Sequence, residues 1–378
     1  MPLRWIKTMT KRIFLTVVDS FGIGGADDAE RFGDLGSNTL QAIEKSEYFK
    51  CDNLKKLGLK NIDGLSGGIS HPIASYARLK ELSNGKDTTL GHWEIAGVIS
   101  SDPLPTYPNG FPSEIITEFE RRIGTKTLCN KAYSGTEVIK DYGAEHIKTG
   151  YPIVYTSQDS VFQIACHDGV VSVETLYNYC KIARELLVGK YSVGRVIARP
   201  FTADYPYVRT GYRKDFSLLP PQKTMLDKLS ESGYDVISVG KIYDIFAGQG
   251  ITKSYKTKSN AEGYRKAMQL LDEDFKGLCF INFVDFDSVY GHRNDVSGYA
   301  REIARFDEFL GKFVNGLNDD DMLIVTADHG CDPSTPSTDH SREDVPCLIY
   351  QNGRDIKNLG TIYGFNYIST VILKEFNL

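Results

Sequence analysis

No apolar run in this chain approaches the roughly 20 residues that a membrane-spanning helix needs, which excludes a helical membrane protein. Positive charge is not in surplus either. The 44 Lys and Arg against 49 Asp and Glu give a formal net charge of -5, so no nucleic-acid partner is expected. Cysteine is sparse and scattered. Seven are present (Cys51, Cys129, Cys166, Cys180, Cys279, Cys331, Cys347), an odd number with no C-x-x-C pair. That pattern argues against a disulfide framework or a thiolate zinc site and for buried thiols in a reducing compartment. Internal repeats and low-complexity segments are absent. The opening MPLRWIKTMTKR is basic, but no long apolar stretch with a small-residue cleavage site follows, so it does not read as a secretory signal; Met9 offers an alternative start. The expectation is a soluble cytoplasmic protein. What remains is ordinary globular composition, 41% hydrophobic and 25% charged, in 378 residues, long enough for two domains.

One pattern recurs along the chain. Ile13 to Val18 is an apolar, β-branched run that ends in Asp19 and the glycine-rich FGIGG, a buried strand running out into a loop. Asp235 to Val239 ends in Gly240 and Lys241, Leu278 to Val284 in Asp285, Phe286 and Asp287, and Met322 to Thr326 in Asp328, His329 and Gly330. Val345 to Tyr350 reads as a further strand. Ser259 to Asp274 and Gly298 to Asn315 carry helical spacing. Strands alternating with helices predict an α/β fold with a doubly wound, mostly parallel sheet, which binds ligands beyond the carboxyl ends of its strands. The middle differs. A proline-rich passage, SSDPLPTYPNGFP, opens it and Pro220-Pro221 closes it, with short alternating runs at Ile153 to Tyr155, Val161 to Ala165 and Arg195 to Ala198 and a helical Glu174 to Leu187. This predicts a core from residues 1–100 and 222–378 and an inserted α+β cap at 101–221.

The chemistry concentrates at the strand ends. TADHG (326–330) is followed by TDH (338–340), and DFDSVYGH (285–292) places Asp287 and His292 five apart. Aspartate and histidine supply oxygen and imidazole ligands. With Asp19, the candidates Asp287, His292, Asp328, His329 and His340 make six, enough for a two-metal centre with open positions for a phosphoryl oxygen. GKDTTLGHWE (85–94) offers a hydroxyl nucleophile, Thr88 or Thr89, at a helix start whose backbone N–H groups suit phosphate. The bland alternative there is a helix capped by Asp87 or Thr88.

Taken together, GKDTTLGHWE, VDFDSVYGHR, TADHG with TDH, and RIFLTVVDSFGIG resemble the phosphopentomutases of the alkaline-phosphatase superfamily. The similarity continues through NKAYSGTEVI, VYTSQDSVFQIA, GRVIARPF and GKIYDIF, so it covers the cap. The resemblance implies an alkaline-phosphatase-like core and two manganese ions, one on Asp19, Asp328 and His329, the other on Asp287, His292 and His340. It implies Thr88 as the residue that carries the phosphoryl group, Asp159 as a cap aspartate reaching the active site, and Ser157, Arg195, Arg209 and Lys241 as substrate-binding groups. The implied reaction interconverts ribose 1-phosphate and ribose 5-phosphate, and the deoxyribose pair, through a sugar 1,5-bisphosphate. A catalytic sugar bisphosphate, of the ribose 1,5- or glucose 1,6-type, is the expected activator. Two positions depart from the family pattern: Cys331 stands where a small polar residue is usual, and Leu90 replaces a frequent polar residue. The ligand set alone also suits a metal-dependent phosphatase or phosphodiesterase. A phosphoglycerate mutase of the cofactor-independent type resembles a longer chain with a serine nucleophile, and a non-catalytic binding module would have no use for all six ligands and Thr88.

Overall fold

A computed structural model describes residues 10–157 and 160–378. Asp159 lies outside the described residues, as does Met9. The chain starts with β1 (Arg12–Val18) and β2 (Ser75–Lys80). Six strands follow: β3 (Leu128–Ala132), β4 (Ile153–Thr156), β5 (Val161–His167), β6 (Arg195–Thr202), β7 (Val208–Arg209) and β8 (Lys214–Ser217). The last six are β9 (Asp235–Val239), β10 (Lys253–Tyr255), β11 (Gly277–Phe283), β12 (Asp321–Thr326), β13 (Val345–Gln351) and β14 (Asn358–Tyr363). The chain divides into two compact units, one holding the described residues up to 102 with 220–378, the other 103–219.

The first unit is an eight-stranded sheet in the order β10-β9-β11-β1-β12-β13-β2-β14. Every pairing is parallel except the two that β13 makes, with β12 and with β2. The sheet is therefore the mostly parallel α/β type that the strand–helix alternation predicts. β1, β11 and β12 are buried along their whole lengths, because helices cover both faces. The long helix Val296–Asn315 turns Phe306, Phe309 and Phe313 inward, where Phe313 meets Phe14 edge-on at 5.2 Å and Phe306 meets Phe283 at 5.6 Å. Each such ring removes apolar surface worth about 1.5–3 kcal/mol. A buried bidentate pair ties the start of β1 to β12: Arg12 Nε and Nη2 donate to Asp321 at 2.8 and 2.6 Å.

Register places the site. Val18 pairs with Phe283 and Val17 with Thr326, so β1, β11 and β12 finish flush at one edge of the sheet. The residues just past those ends are the candidate ligands. Antiparallel β13 begins at the same edge, which brings the loop carrying His340 back to it.

The second unit is a six-stranded mixed sheet, β3-β4-β5-β6-β7 with β8 also on β6. The helices Ser113–Ile123 and Val173–Leu186 pack on it around Phe119, Phe162, Ile164, Leu176 and Val196. All seven cysteines of the chain are unpaired and five are buried. Among the described residues no helix is long and apolar enough to cross a membrane.

Candidate active site and metal centre

Three carboxylates converge where β1, β11 and β12 end. Asp19 and Asp328 are wholly buried and Asp287 is 4% exposed. Asp287 does not continue β11. The strand stops at Phe283 and a π-helical turn, Phe286–Tyr290, re-aims the chain. This separates the two aspartates of DFD, which on a strand would have shared a face. Asp285 instead exchanges hydrogen bonds with Asn260, accepting from its N–H at 2.8 Å and donating its own N–H to Asn260 Oδ1 at 3.0 Å.

Histidines face these carboxylates. His329 Nε2 lies 3.5 Å from Asp19 Oδ1 and 3.3 Å from Asp328 Oδ2. His292 Nε2 lies 3.2 Å from Asp287 Oδ2, and His340 Nε2 3.4 Å from Asp287 Oδ1. The rings of His329 and His340 are 4.1 Å apart, and those of His292 and His340 4.7 Å. Ligand atoms of Asp19, Asp328 and His329 fall within 4.8 Å of one another, as do those of Asp287, His329 and His340. All six candidate ligands thus meet in one cluster.

The donor set fits cations. Asp19 Oδ1, Asp287 Oδ1 and Asp328 Oδ2 are buried acceptors with no hydrogen-bond partner, an expensive arrangement unless an ion satisfies them. His329 Nδ1–H donates to the Gly330 carbonyl at 3.0 Å and His292 Nδ1–H to the Thr338 carbonyl at 2.6 Å. Each bond leaves an Nε2 lone pair pointing at the carboxylates, the tautomer a metal ligand needs. Protons otherwise have to relieve the repulsion. Burial and the charges of Asp328 and Asp287 push Asp19 up to about 7. Burial alone would lower His292, but its hydrogen bond to Asp287 and that carboxylate's charge outweigh it and hold it up at about 9. Bound cations would replace those protons.

Thr88 opens the helix Thr88–Ile95, with Asp87 as N-cap: its Oδ1 accepts from Thr89 N at 3.0 Å and Leu90 N at 3.2 Å. Of the two capping candidates, Asp87 takes the role and leaves the Thr88 hydroxyl out of the cap, turned to the metal-ligand cluster. Thr88 Oγ1 lies 3.1 Å from His329 Nε2. The helix comes this close because residue 91 is glycine. A Cβ there would overlap the Asp328 carbonyl oxygen and lie 2.9 Å from its carbon.

Several residues hold this geometry in roles that sequence reading did not assign. His92 Nδ1–H donates to the Thr88 carbonyl at 2.9 Å, and its ring is 3.0 Å from Asp328 Oδ2. Asn282, inside β11, donates to Asp19 Oδ2 at 2.9 Å. Glu94, buried, accepts from the N–H groups of Leu82, Ser83 and Phe365 and so braces the segment before Thr88. Arg342 is buried against Glu81, Asp28 and the carbonyls of Ser83 and Gly85. Lys86 bridges Asp34 at 3.0 Å and Asp339 at 3.1 Å, tying the GKDT segment to the His340 loop. Ser20 takes a left-handed φ of 65° directly after Asp19, and its N–H donates to Asp328 Oδ1 at 3.1 Å. Such strain is a cost that persists where surrounding structure enforces it. Lys86, His92 and Glu94 lie inside the GKDTTLGHWE motif, but their positioning roles do not follow from it.

The remaining predicted residues separate by unit. Lys241 is exposed at the end of β9, close enough for its charge to offset part of the upward push on Asp19. Ser157, Arg195 and Arg209 belong to the 103–219 unit. Ser157 follows β4, Arg195 starts β6 within 3.8 Å of Asp215, and exposed Arg209 lies on β7. Arg199 is half-buried and donates to Gln163 Oε1 at 3.1 Å.

Comparison with known proteins agrees with this picture. Residues 11–378 match the sequence profile of the metalloenzyme superfamily. The chain is 58% identical over 375 residues to a phosphopentomutase of Lachnoclostridium phytofermentans, covering 97% of this chain and 96% of that one. It is 54% identical to a phosphopentomutase of Caldanaerobacter subterraneus subsp. tengcongensis, covering 98% and 95%. Among solved structures, the PH0037 protein of Pyrococcus horikoshii superimposes with a TM-score of 0.51 over 98% of this chain and 97% of that one, at 14% identity, a likeness of fold alone. An α/β core with its ligands at flush strand ends, matched over nearly its full length at this identity, places the chain in the phosphopentomutase family of the metalloenzyme superfamily.

Proposed function

We propose that the protein interconverts ribose 1-phosphate and ribose 5-phosphate, and the 2-deoxyribose pair, through a phosphothreonine at Thr88 and a sugar 1,5-bisphosphate. The observation that carries this reading is the Thr88 hydroxyl, free of the helix cap at a helix N-terminus and hydrogen-bonded at 3.1 Å to His329 Nε2, one of the candidate ligands. Asp19, Asp328 and His329 would hold one manganese ion and Asp287, His292 and His340 the other. When bound, such a pair neutralises charge on a transferring phosphoryl group and stabilises the attacking and leaving oxygens.

The chain's own residues do the rest. Phosphorylated Thr88 gives its phosphoryl group to the free hydroxyl of a sugar monophosphate: the Thr88 O–P bond breaks, the sugar O–P bond forms, and the sugar hydroxyl proton leaves as the threonine hydroxyl is restored. The bisphosphate reverses its orientation and its other phosphate returns to Thr88. Backbone N–H groups at the start of the helix favour the phosphate charge. His92 fixes the Thr88 carbonyl and thereby the orientation of residue 88. Lys241, Arg195, Arg209 and Ser157 supply sugar- and phosphate-binding groups, and Asp159 acts with Thr88 as a catalytic residue. The 103–219 unit takes the role of a cap that keeps water from the phosphothreonine. A sugar bisphosphate primes the enzyme, and the reaction takes place in the cytoplasm.

The test is an incubation of the manganese-loaded protein with ribose 5-phosphate and a catalytic amount of sugar 1,5- or 1,6-bisphosphate, following ribose 1-phosphate and free phosphate. Isomer formation is expected. Net phosphate release without isomer would mean a phosphatase instead. Intact mass after priming should rise by one phosphoryl group and fail to do so in Thr88→Ala; phosphate on Thr89 would refute the assignment.

A further inference from the structure

Cys331 lies against the centre, and phosphoryl transfer has no use for its thiol. It follows His329 by two positions and is 1% exposed. Its thiol, a carboxylate oxygen of Asp287 and an imidazole nitrogen of His292 all lie within 4.8 Å of one another. One ion with bonds of about 2.0–2.3 Å draws such a trio together with small side-chain movements. The backbone holds the sulfur in place. Cys331 N–H donates to Thr39 Oγ1 at 3.1 Å, the sulfur is 3.5 Å from the Asp339 carbonyl oxygen, and residue 291 is a glycine whose Cβ would stand 2.9 Å from that sulfur. Asp287 is more than nine-tenths buried, and its Oδ1, the same orphaned acceptor that the expected manganese would answer, has no hydrogen-bond partner.

We propose that Asp287, His292 and Cys331 form an alternative site for a soft divalent cation, zinc or cadmium, which overlaps the expected manganese position and competes with it. The proposal rests on the reading that Asp287 and His292 are metal ligands. A hard cation such as manganese is satisfied by carboxylate and imidazole and leaves the thiol protonated, whereas zinc and cadmium favour a thiolate. On binding, the thiol proton passes to solvent and the sulfur supplies both electrons of the new bond, with no change of oxidation state. Zinc or cadmium then holds Asp287 and His292 in a thiolate-bound arrangement and acts as an inhibitor that manganese reverses by competition.

The experiment titrates the metal-depleted full-length protein with cadmium and follows the ultraviolet thiolate-to-cadmium charge-transfer absorbance, in parallel with Cys331→Ser and Cys331→Ala. Bound manganese is measured separately by elemental analysis. The wild type should show a band of one thiolate that both variants lack, which subtracts any contribution from the other cysteines. Cadmium affinity should fall by about tenfold or more in the variants while manganese affinity changes by less than about twofold. Cadmium binding with the same absorbance and affinity in all three proteins would overturn the role of Cys331 and leave the manganese centre standing. Failure of the wild type to bind manganese at all would remove the underlying reading, and the proposal with it.

Discussion

Gly91→Ala is a one-methyl test of how the nucleophile is positioned. The added Cβ would overlap the Asp328 carbonyl oxygen and lie 2.9 Å from its carbon. Carbon contacts settle near 3.5–4.0 Å, so the helix Thr88–Ile95 has to retreat by at least about 0.6 Å, and by more to clear the oxygen. The obstacle is backbone at the end of a buried strand, not the tip of a flexible side chain. Overpacking of this kind costs about 1–3 kcal/mol, a Tm loss of a few degrees in a unit of this size. The larger effect falls on chemistry. Thr88 and His92 ride on the displaced helix, and a shift of about 1 Å between nucleophile and centre can cost about 100-fold in rate. The assay is the isomerisation rate with manganese, alongside a thermal melt and a Gly211→Ala control, since a Cβ at Gly211 meets nothing within 4 Å. Gly91→Ala should lose about two orders of magnitude in kcat/KM while remaining folded, and Gly211→Ala should retain wild-type activity. Wild-type turnover in Gly91→Ala would refute the argument that helix-to-strand contact sets the position of Thr88.

Two other perturbations separate roles that look alike in the sequence. Asp287→Asn should lose bound manganese, whereas Asp285→Asn should keep it and lower stability by about 1 kcal/mol through the weakened link to Asn260; equal metal loss in both would contradict the placement by the π-helical turn. In the 103–219 unit, His146 is wholly buried, donating Nδ1–H to the Tyr151 carbonyl at 2.7 Å and accepting from His167 N–H at 2.9 Å. Burial holds it below its ordinary 6.5. Below that value the unfolded chain takes up a proton that the folded unit excludes, so stability should fall as pH drops from about 6.5 and level off below the depressed folded-state pKa. Melts between about pH 7.5 and about pH 5.5 should show this slope, and His146→Gln should flatten it; an unchanged slope in the variant would assign the effect to other groups.

The parallel core was legible because burial on both faces leaves β1, β9, β11 and β12 as near-continuous apolar runs, each closed by polar residues. The edges were not. β2, with SYARLK, alternates buried and half-buried positions, and β14 contains NLGTIY with a glycine in it, so neither has the composition of a central strand. β2 pairs with β13 and β14, both far along the chain, a pairing that no local pattern encodes. The π-helical turn after β11 was hidden for a related reason: DFDSVY has ordinary strand-end composition, and only the re-aimed chain shows that Asp285 serves Asn260 while Asp287 serves the centre.

For the site, residues of unmistakable ligand chemistry at strand ends could be read directly, but those that orient them could not. Asn282 reads as one polar residue in a buried strand, Glu94 as one helix acid, and Arg342 as one cation before β13. Their meaning comes from what the fold sets against them. Asn282 reaches Asp19 because β1 and β11 pair in parallel with Val17 opposite Asn282, which puts its amide beside the residue that follows Val18. Arg342 earns its burial only because Glu81, Asp28 and two carbonyls of the segment before Thr88 surround it. An isolated guanidinium could not be buried there. Cys331 shows the same dependence from the opposite side. In sequence it is a departure from pattern beside a ligand, and only the turn that carries Asp287 and His292 to its sulfur sets a third kind of donor beside carboxylate and imidazole, one that would make the centre's choice between hard and soft cations a property of a single side chain.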